Sequence, residues 1–252
     1  MGTGLNLDLE KSGKPDALLP VSHATVRRWC ASIFSRLVRL ARYARLRMAL
    51  LAIGVVLAGS VAAADTSLED AALVSALRSG GHNIYFRHVA TEWSQYDQVE
   101  KIDDWRSCDA TRMRQLSDRG RDDARAIGLA LQRLDVPVGE VLASPYCRTV
   151  ETARLMEFGE VAETNQVMNL RSAGYVGGRA SVIASAQALL ASPPPSANRV
   201  IVAHGNVARE ATPVYPAEGE AVVFTPDGQG GFILRARIKV SDWSRLMIFA
   251  AQ

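Results

Sequence analysis

Histidine and cysteine are scarce in this 252-residue chain, with four and three copies respectively. The spacing of Cys30, Cys108 and Cys147 fits no zinc pattern. There is no internal repeat, and no linker-like stretch inside residues 66–252, so one domain is the economical reading of that part. An excess of basic charge is missing as well, once the chain is divided. Residues 1–64 hold nine Lys/Arg against three Asp/Glu, and the remainder holds 20 against 23. The basic balance therefore belongs to the N-terminal segment and gives no argument for nucleic acid as a partner of the domain.

That segment ends in arginines followed by an apolar run from Met48 to Gly59 and by small residues up to Ala64. A positive flank, a short apolar core and an A-x-A site at Ala62 to Ala64 are the layout of a secretory signal. The 17 residues from Met48 to Ala64 also reach the short edge of a membrane anchor. We therefore expect a leader over 1–64, cleaved after Ala64, and a domain over 65–252 in the periplasm or outside the cell, touching a membrane only through an uncleaved leader. The 47 residues before Met48 are long for a signal flank, which points to translation starting further in. In an oxidising compartment Cys108 and Cys147 have two readings, a disulfide or two separate buried thiols.

Beyond the leader, helix and strand alternate. The run from Ser67 to Gly81 reads as a helix capped by Ser67 and stopped by glycines; His82–His88 as a short strand; Ser117–Leu134 as a helix. Gly139–Pro145 then reads as a strand, the segment from Tyr146 as a helix, "NQVMNL" as a weaker strand and "RASVIASAQALLAS" as a helix. "RVIVAHGN" has the apolar centre of a strand covered on both faces, and "EAVVFTPDGQGGFILRARI" reads as two strands around a hairpin turn. This order predicts a three-layer αβα fold with a mostly parallel sheet and a C-terminal β-hairpin.

Ligands of such sheets bind beyond the carboxyl ends of the strands. Three strands end in unusual chemistry: Arg87-His88, Ser144 to Arg148, and His204-Gly205-Asn206. Two of the three histidines beyond the leader thus fall at strand tips, with two arginines placed likewise. Paired guanidinium groups suit an anion with forked oxygens, and histidines beside them suit a nucleophile or proton carrier. Phosphate fits best, because histidine can accept a phosphoryl group while fixed positive charge clamps its oxygens.

On these residues the chain resembles the histidine phosphatase superfamily, the phosphoglycerate mutase-like proteins. Arg87-His88 with Thr91 is similar to that family's arginine-histidine-glycine motif. "SPYCRTVETA" is similar to its Ser-x-x-x-Arg-Thr-x-Glu-Thr-Ala segment, "VAHGN" to its second-histidine motif, and "LSDRGRDDA" to a helix start. The resemblance implies His88 as phosphoryl-accepting nucleophile and Arg87, Arg148 and His204 as phosphate ligands, with Thr91 and Asn206 as extra donors and no cofactor or metal. Ser144 and Glu151 read either as site residues or as structural ones.

Two positions depart from the family pattern. Val89 replaces glycine, which would crowd the pocket floor, and "MNLRSAGYVGG" lacks the carboxylate expected to protonate the leaving group. Glu218 and Glu220 are the nearest acids in sequence; Glu220 is the acid candidate and Glu218 reads as a solvated turn residue. The resulting expectation is an exported, metal-independent phosphomonoesterase for a phosphorylated small molecule, sugar or envelope component. The alternatives are a phosphohistidine protein phosphatase and a non-catalytic phosphate-binding module. Specificity is expected in Glu92–Arg114 and Arg171–Gly178, where Trp93, Trp105 and Tyr175 either contact a leaving group or only pack the loop.

Overall fold

The computed structural model describes residues 68 and 70–250. The leader, Cys30 and the Ser67 cap lie outside the described residues. In chain order the regular elements are α1 (Asp70–Ser79), β1 (Asn83–Arg87), α2 (Asp118–Arg133), β2 (Val138–Ala143), α3 (Cys147–Leu155), β3 (Ala162–Glu163), α4 (Arg179–Ala191), β4 (Asn198–Ala203), α5 (Gly205–Ala211), β5 (Ala221–Pro226), β6 (Phe232–Ile238) and α6 (Asp242–Leu246). Short 3-10 turns join several of them.

The strands form one sheet in the order β3-β2-β4-β1-β5-β6. The first four are parallel, β5 is antiparallel to β1, and β6 is antiparallel to β5. The mostly parallel sheet and the C-terminal hairpin are as expected. Alternation along the strands separates two cores, because successive side chains point to opposite faces. Ile84, Phe86, Val141, Ala143, Val200 and Val202 pack with α1, α2, α3 and α6. Tyr85, Leu142, Ile201, Ala203, Val222 and Phe224 pack with α4 and α5. Every residue of β4 is buried, the burial expected of a central strand with a layer on each side.

One strand expected from sequence is absent from this sheet. Residues 165–167 of "NQVMNL" form a 3-10 turn, capped by the Thr164 hydroxyl, which accepts the Gln166 N–H at 3.2 Å. The local cap outcompetes extension, and the edge pairing with β2 is made by the two exposed residues Ala162 and Glu163.

At the end of the sheet remote from the strand tips, polar groups are paired off. Arg199 donates to Asn83 Oδ1 at 2.9 Å and pairs with Glu140, and Asn83 Nδ2 donates to the Leu190 carbonyl at 2.9 Å. His82 bridges the Thr225 hydroxyl at 2.8 Å and the Ala76 carbonyl at 3.1 Å, so both its ring nitrogens are engaged in stapling the fold.

The chain leaving β1 is locked by the start of α2. The Ala90 carbonyl accepts the Ser117 N–H at 3.0 Å, and the Ser117 hydroxyl caps α2 by accepting the Gly120 N–H at 3.1 Å. Gly120 is required by this contact, since a β-carbon there would stand 2.1 Å from the Ala90 oxygen. On helix propensity alone, Gly120→Ala would stabilise by up to about 1 kcal/mol. The contact reverses the sign: the expected result is a loss of about 1–3 kcal/mol in urea unfolding, typical of overpacking against fixed backbone.

Candidate active site

The three central strands deliver their tips to one level. Arg87 pairs in register with Ala203, and Ala143 with Val202, so the residues just beyond the strands, His88, His204 and Ser144, stand side by side. The His88 N–H donates to the Ala203 carbonyl and the Ser144 N–H to that of Val202, both at 3.0 Å, extending the ladder one residue past each strand. The rings of His88 and His204 lie 5.6 Å apart, edge to face. Arg148, at the second position of α3, and Arg87 line the same cavity of about 260 Å³, together with Trp93, Asp97, Arg114, Asn169 and Tyr215. Four residues predicted from sequence, Arg87, His88, Arg148 and His204, are thus brought together.

His88 is buried, and its Nδ1 lies 3.0 Å from the carbonyl oxygen of Val89. A carbonyl only accepts, so Nδ1 carries the proton and Nε2 holds the lone pair. Burial first, and the charge of Arg148 second, hold the His88 pKa well below the ordinary value. His204 is lowered in the same way by burial and then by Arg148. Both rings are therefore neutral at neutral pH. His204 is further fixed by Ser144 Oγ at 2.9 Å from its Nε2 and by the edge of Tyr146 at 4.8 Å. Ser144 accordingly belongs to the site, whereas Glu151 pairs with Arg121 at 2.7 Å.

Among the buried polar atoms without a protein partner, four belong to residues lining this cavity: Arg87 Nε, Arg148 Nε, His204 Nδ1 and Asn206 Oδ1. Two guanidinium N–H groups and an imidazole nitrogen suit an oxyanion. Asn206, expected as a further donor, is placed differently. Its Nδ2 donates to Asn169 Oδ1 at 2.9 Å, and its unpartnered atom is an acceptor, better suited to a hydroxyl than to an oxyanion. Gly205 is required beneath this group, because a β-carbon would stand 2.7 Å from the Tyr215 ring and 3.3 Å from Arg87 Nε.

Four further expectations are corrected. Glu220 does not reach the cavity: Arg237 donates to it from Nε at 2.7 Å and Nη2 at 3.0 Å, and the Ala217 N–H donates at 2.7 Å, which commits the buried carboxylate to the turn and hairpin. Thr91 is not among the cavity-lining residues, and it donates its hydroxyl to Glu218 Oε1 at 2.8 Å. Glu218, read as a solvated turn residue, lies 3.5 Å from Arg87 Nη2 with a largely buried side chain. Val89, in turn, does not crowd the cavity floor, since its side chain is buried in the core shared by α1, α2, α3 and α6.

Sequence reading missed Asp97. It is the one carboxylate among the described residues lining the cavity, and it takes Arg148 with both oxygens, at 2.9 and 3.0 Å. Arg114 and Tyr215 were missed as well; the guanidinium of Arg114 lies 4.5 Å from the centre of the Trp93 ring. Of the loop aromatics, Trp93 is exposed and lines the cavity, while Trp105 is buried and packs on Tyr175 at 5.8 Å. A disulfide joins Cys108 of this loop to Cys147, the residue before Arg148.

Comparison with known proteins agrees with the motifs. Residues 84–177 match the sequence profile of the histidine phosphatase superfamily (branch 1). No curated protein sequence matches. Similar solved structures include the protein histidine phosphatase SixA complexed with tungstate, 14% identical over 64% of this chain and 98% of that one, at a TM-score of 0.46. A mycobacterial glucosyl-3-phosphoglycerate phosphatase is 14% identical over 62% of this chain and 98% of its own, at 0.45. A phosphoserine phosphatase from Entamoeba histolytica, in complex with 3-phosphoglyceric acid, is 14% identical over 62% and 95%, at 0.43.

The neutral histidines set a pH dependence. In the unfolded chain they take up protons near pH ~6.5, and in the fold only at lower pH. Stability is therefore fully present above that value and is lost as pH falls towards the folded value. Urea unfolding of the wild type between pH ~8 and ~5 should show this loss, and His88→Gln should show less of it. An equal loss in the variant would contradict the neutral burial of His88.

Proposed function

We propose that this chain, whose residues 84–177 carry the pattern of the histidine phosphatase superfamily, hydrolyses phosphomonoesters through a phosphohistidine formed on His88. The observation that carries this reading is the hydrogen bond from His88 Nδ1 to the Val89 carbonyl. It leaves Nε2 with its lone pair, in a cavity where Arg87, Arg148 and His204 offer unpartnered nitrogens. Nε2 attacks phosphorus, the bond from phosphorus to the ester oxygen breaks, and the leaving oxygen takes up a proton. Water then attacks the phosphohistidine, the N–P bond breaks, and phosphate leaves with one proton of the water released. The positive charge that stabilises the equatorial oxygens is supplied by arginine in a buried site, where it acts with little screening.

For His204 to donate from Nδ1, Ser144 must donate its hydroxyl proton to Nε2, and the 2.9 Å contact permits this. The carboxylate in the cavity, Asp97, has both oxygens committed as acceptors of charged hydrogen bonds from Arg148. This favours substrates whose leaving group departs as a stable anion, such as aryl or anomeric phosphates. The same reading places the chain outside the cytoplasm, acting on a phosphorylated small molecule, sugar or envelope component. The apolar run before Ala64 and the disulfide between Cys108 and Cys147 support export.

The test is release of phosphate from 4-nitrophenyl phosphate by the purified protein, with and without a chelator. Turnover should be unaffected by chelation and should fall at least ~10³-fold in His88→Ala, the scale of losing a covalent nucleophile. Tight phosphate binding without turnover would favour a binding module, and loss of activity on chelation a metal-assisted route.

A further inference from the structure

Two of the arginines that line the cavity, Arg87 and Arg148, are gripped by the same part of the side chain. A guanidinium offers two forked edges, one between Nη1 and Nη2 and one between Nε and Nη2. Asp97 fills the first edge of Arg148, with Oδ1 2.9 Å from Nη1 and Oδ2 3.0 Å from Nη2. Arg87 is also held by its terminal nitrogens, Nη1 donating to the Pro216 carbonyl at 3.2 Å and Nη2 lying 3.5 Å from Glu218 Oε1. In both residues Nε is buried and has no protein partner. Arg87 Nε stands against Gly205, a cavity-lining residue, which places this free edge at the cavity wall.

The carboxylates are fixed in their turn. Asp97 Oδ1 accepts the Arg114 N–H at 3.1 Å, and Glu218 Oε1 accepts the Thr91 hydroxyl at 2.8 Å. The loop carrying Asp97 and Arg114 is tied by the disulfide to the residue preceding Arg148. Three roles for Asp97 can be compared. A proton donor would not be committed to two charged hydrogen bonds with a buried arginine. A competitor for phosphate would occupy the edge the phosphate uses, yet the Nε edge is left open. A positioning role accounts for both the filled edge and the free one.

We propose that Asp97 and Glu218 are positioning residues, which hold Arg148 and Arg87 by their terminal nitrogens so that each presents its Nε edge to the phosphoryl oxygens. This rests on the phosphatase reading above. It also gives Thr91 a part, as the donor that orients Glu218.

The experiment compares the full chain with Asp97→Asn and Glu218→Gln on two esters, 4-nitrophenyl phosphate and phenyl phosphate, with circular dichroism as the check on folding. The kcat/KM of Asp97→Asn should fall about tenfold or more, the scale of one charged hydrogen bond. Glu218→Gln should fall by a smaller factor, since its contact is longer. Each loss should be equal for the two esters, because the grip on the phosphoryl group is common to both. In an Arg148→Lys background, which keeps the charge without the fork, Asp97→Asn should cause no further loss.

A rise in kcat/KM, or tighter inhibition by inorganic phosphate in Asp97→Asn, would make Asp97 a competitor and overturn the proposal. A loss concentrated on phenyl phosphate would make it the acid. Unchanged kcat/KM with a lowered melting temperature would reduce it to a structural pair. Should Asp97→Asn not fold, Glu218→Gln with Arg87→Lys as its background carries the same test. A wild-type chain that turns over neither ester removes the phosphatase reading itself, and with it this proposal. That failure is visible in the wild type and not in the variants.

Discussion

Register between β1 and β4 is the constraint on which the site depends. The two strands run parallel with Arg87 opposite Ala203, and only this pairing puts His88 and His204 at the same height. The register is set far from the cavity. A slip by one residue would move Ile84 and Phe86 from the core they share with α1 and α2 into the other layer, and would bring Tyr85 in their place. It would also separate Arg199 from Asn83, its buried partner at the other end of the sheet. Apolar packing and the polar clamp therefore hold the geometry of the two rings without using any residue of the cavity.

Electrostatics in the cavity follows from that crowding. Arg87, Arg114 and Arg148 all act on the two buried rings, and each cation makes a further positive charge there more costly. Neutral imidazole is the form a nucleophile would need, so the groups that would bind an anion also keep the His88 ring uncharged, with its lone pair on Nε2. The price is a buried arginine, Arg148, which needs a counter-ion whether or not a ligand is bound. Asp97 provides it. It does so from the long loop between β1 and α2, whose hold on α3 is covalent through Cys108 and Cys147.

What sequence revealed and what it hid divide along the same lines. Residues at strand tips are legible because they adjoin apolar runs whose period marks the strand, and the tips of a parallel sheet converge by construction. Arg87, His88, His204 and the segment to Arg148 are legible in this way. Asp97 carries no such mark: it lies in a polar loop without periodicity, and its partner is 51 residues away. Glu218 and Glu220 show a finer limit. They are separated by Gly219, whose φ of 75° turns the chain, so one carboxylate faces Arg87 and the other faces Arg237 on β6. The hairpin is legible, but not the irregularity in its pairing between Val223 and Phe224, so the partner of Glu220 could not be read off. The 3-10 turn at residues 165–167 was hidden for a related reason, a side-chain cap overriding a weak apolar pattern.

Val89 shows why a departure at a motif position need not reach the chemistry. Its side chain enters the core, and its carbonyl turns back to accept the His88 Nδ1 proton. The feature that fixes the tautomer is thus backbone and independent of which side chain stands at position 89, provided the peptide keeps its orientation. That orientation is enforced one residue later, where Ser117 and the close approach of Gly120 hold the Ala90 carbonyl. It is enforced on the other side by the Gly219 N–H, which donates to the carbonyl of His88 at 3.0 Å. The tautomer of His88 is therefore decided by the capping of a helix and by a glycine turn, neither of which lines the cavity. By the same logic a family's functional position tolerates change where only its backbone is used, and resists it where, as at Gly205, the absent side chain makes room for a guanidinium.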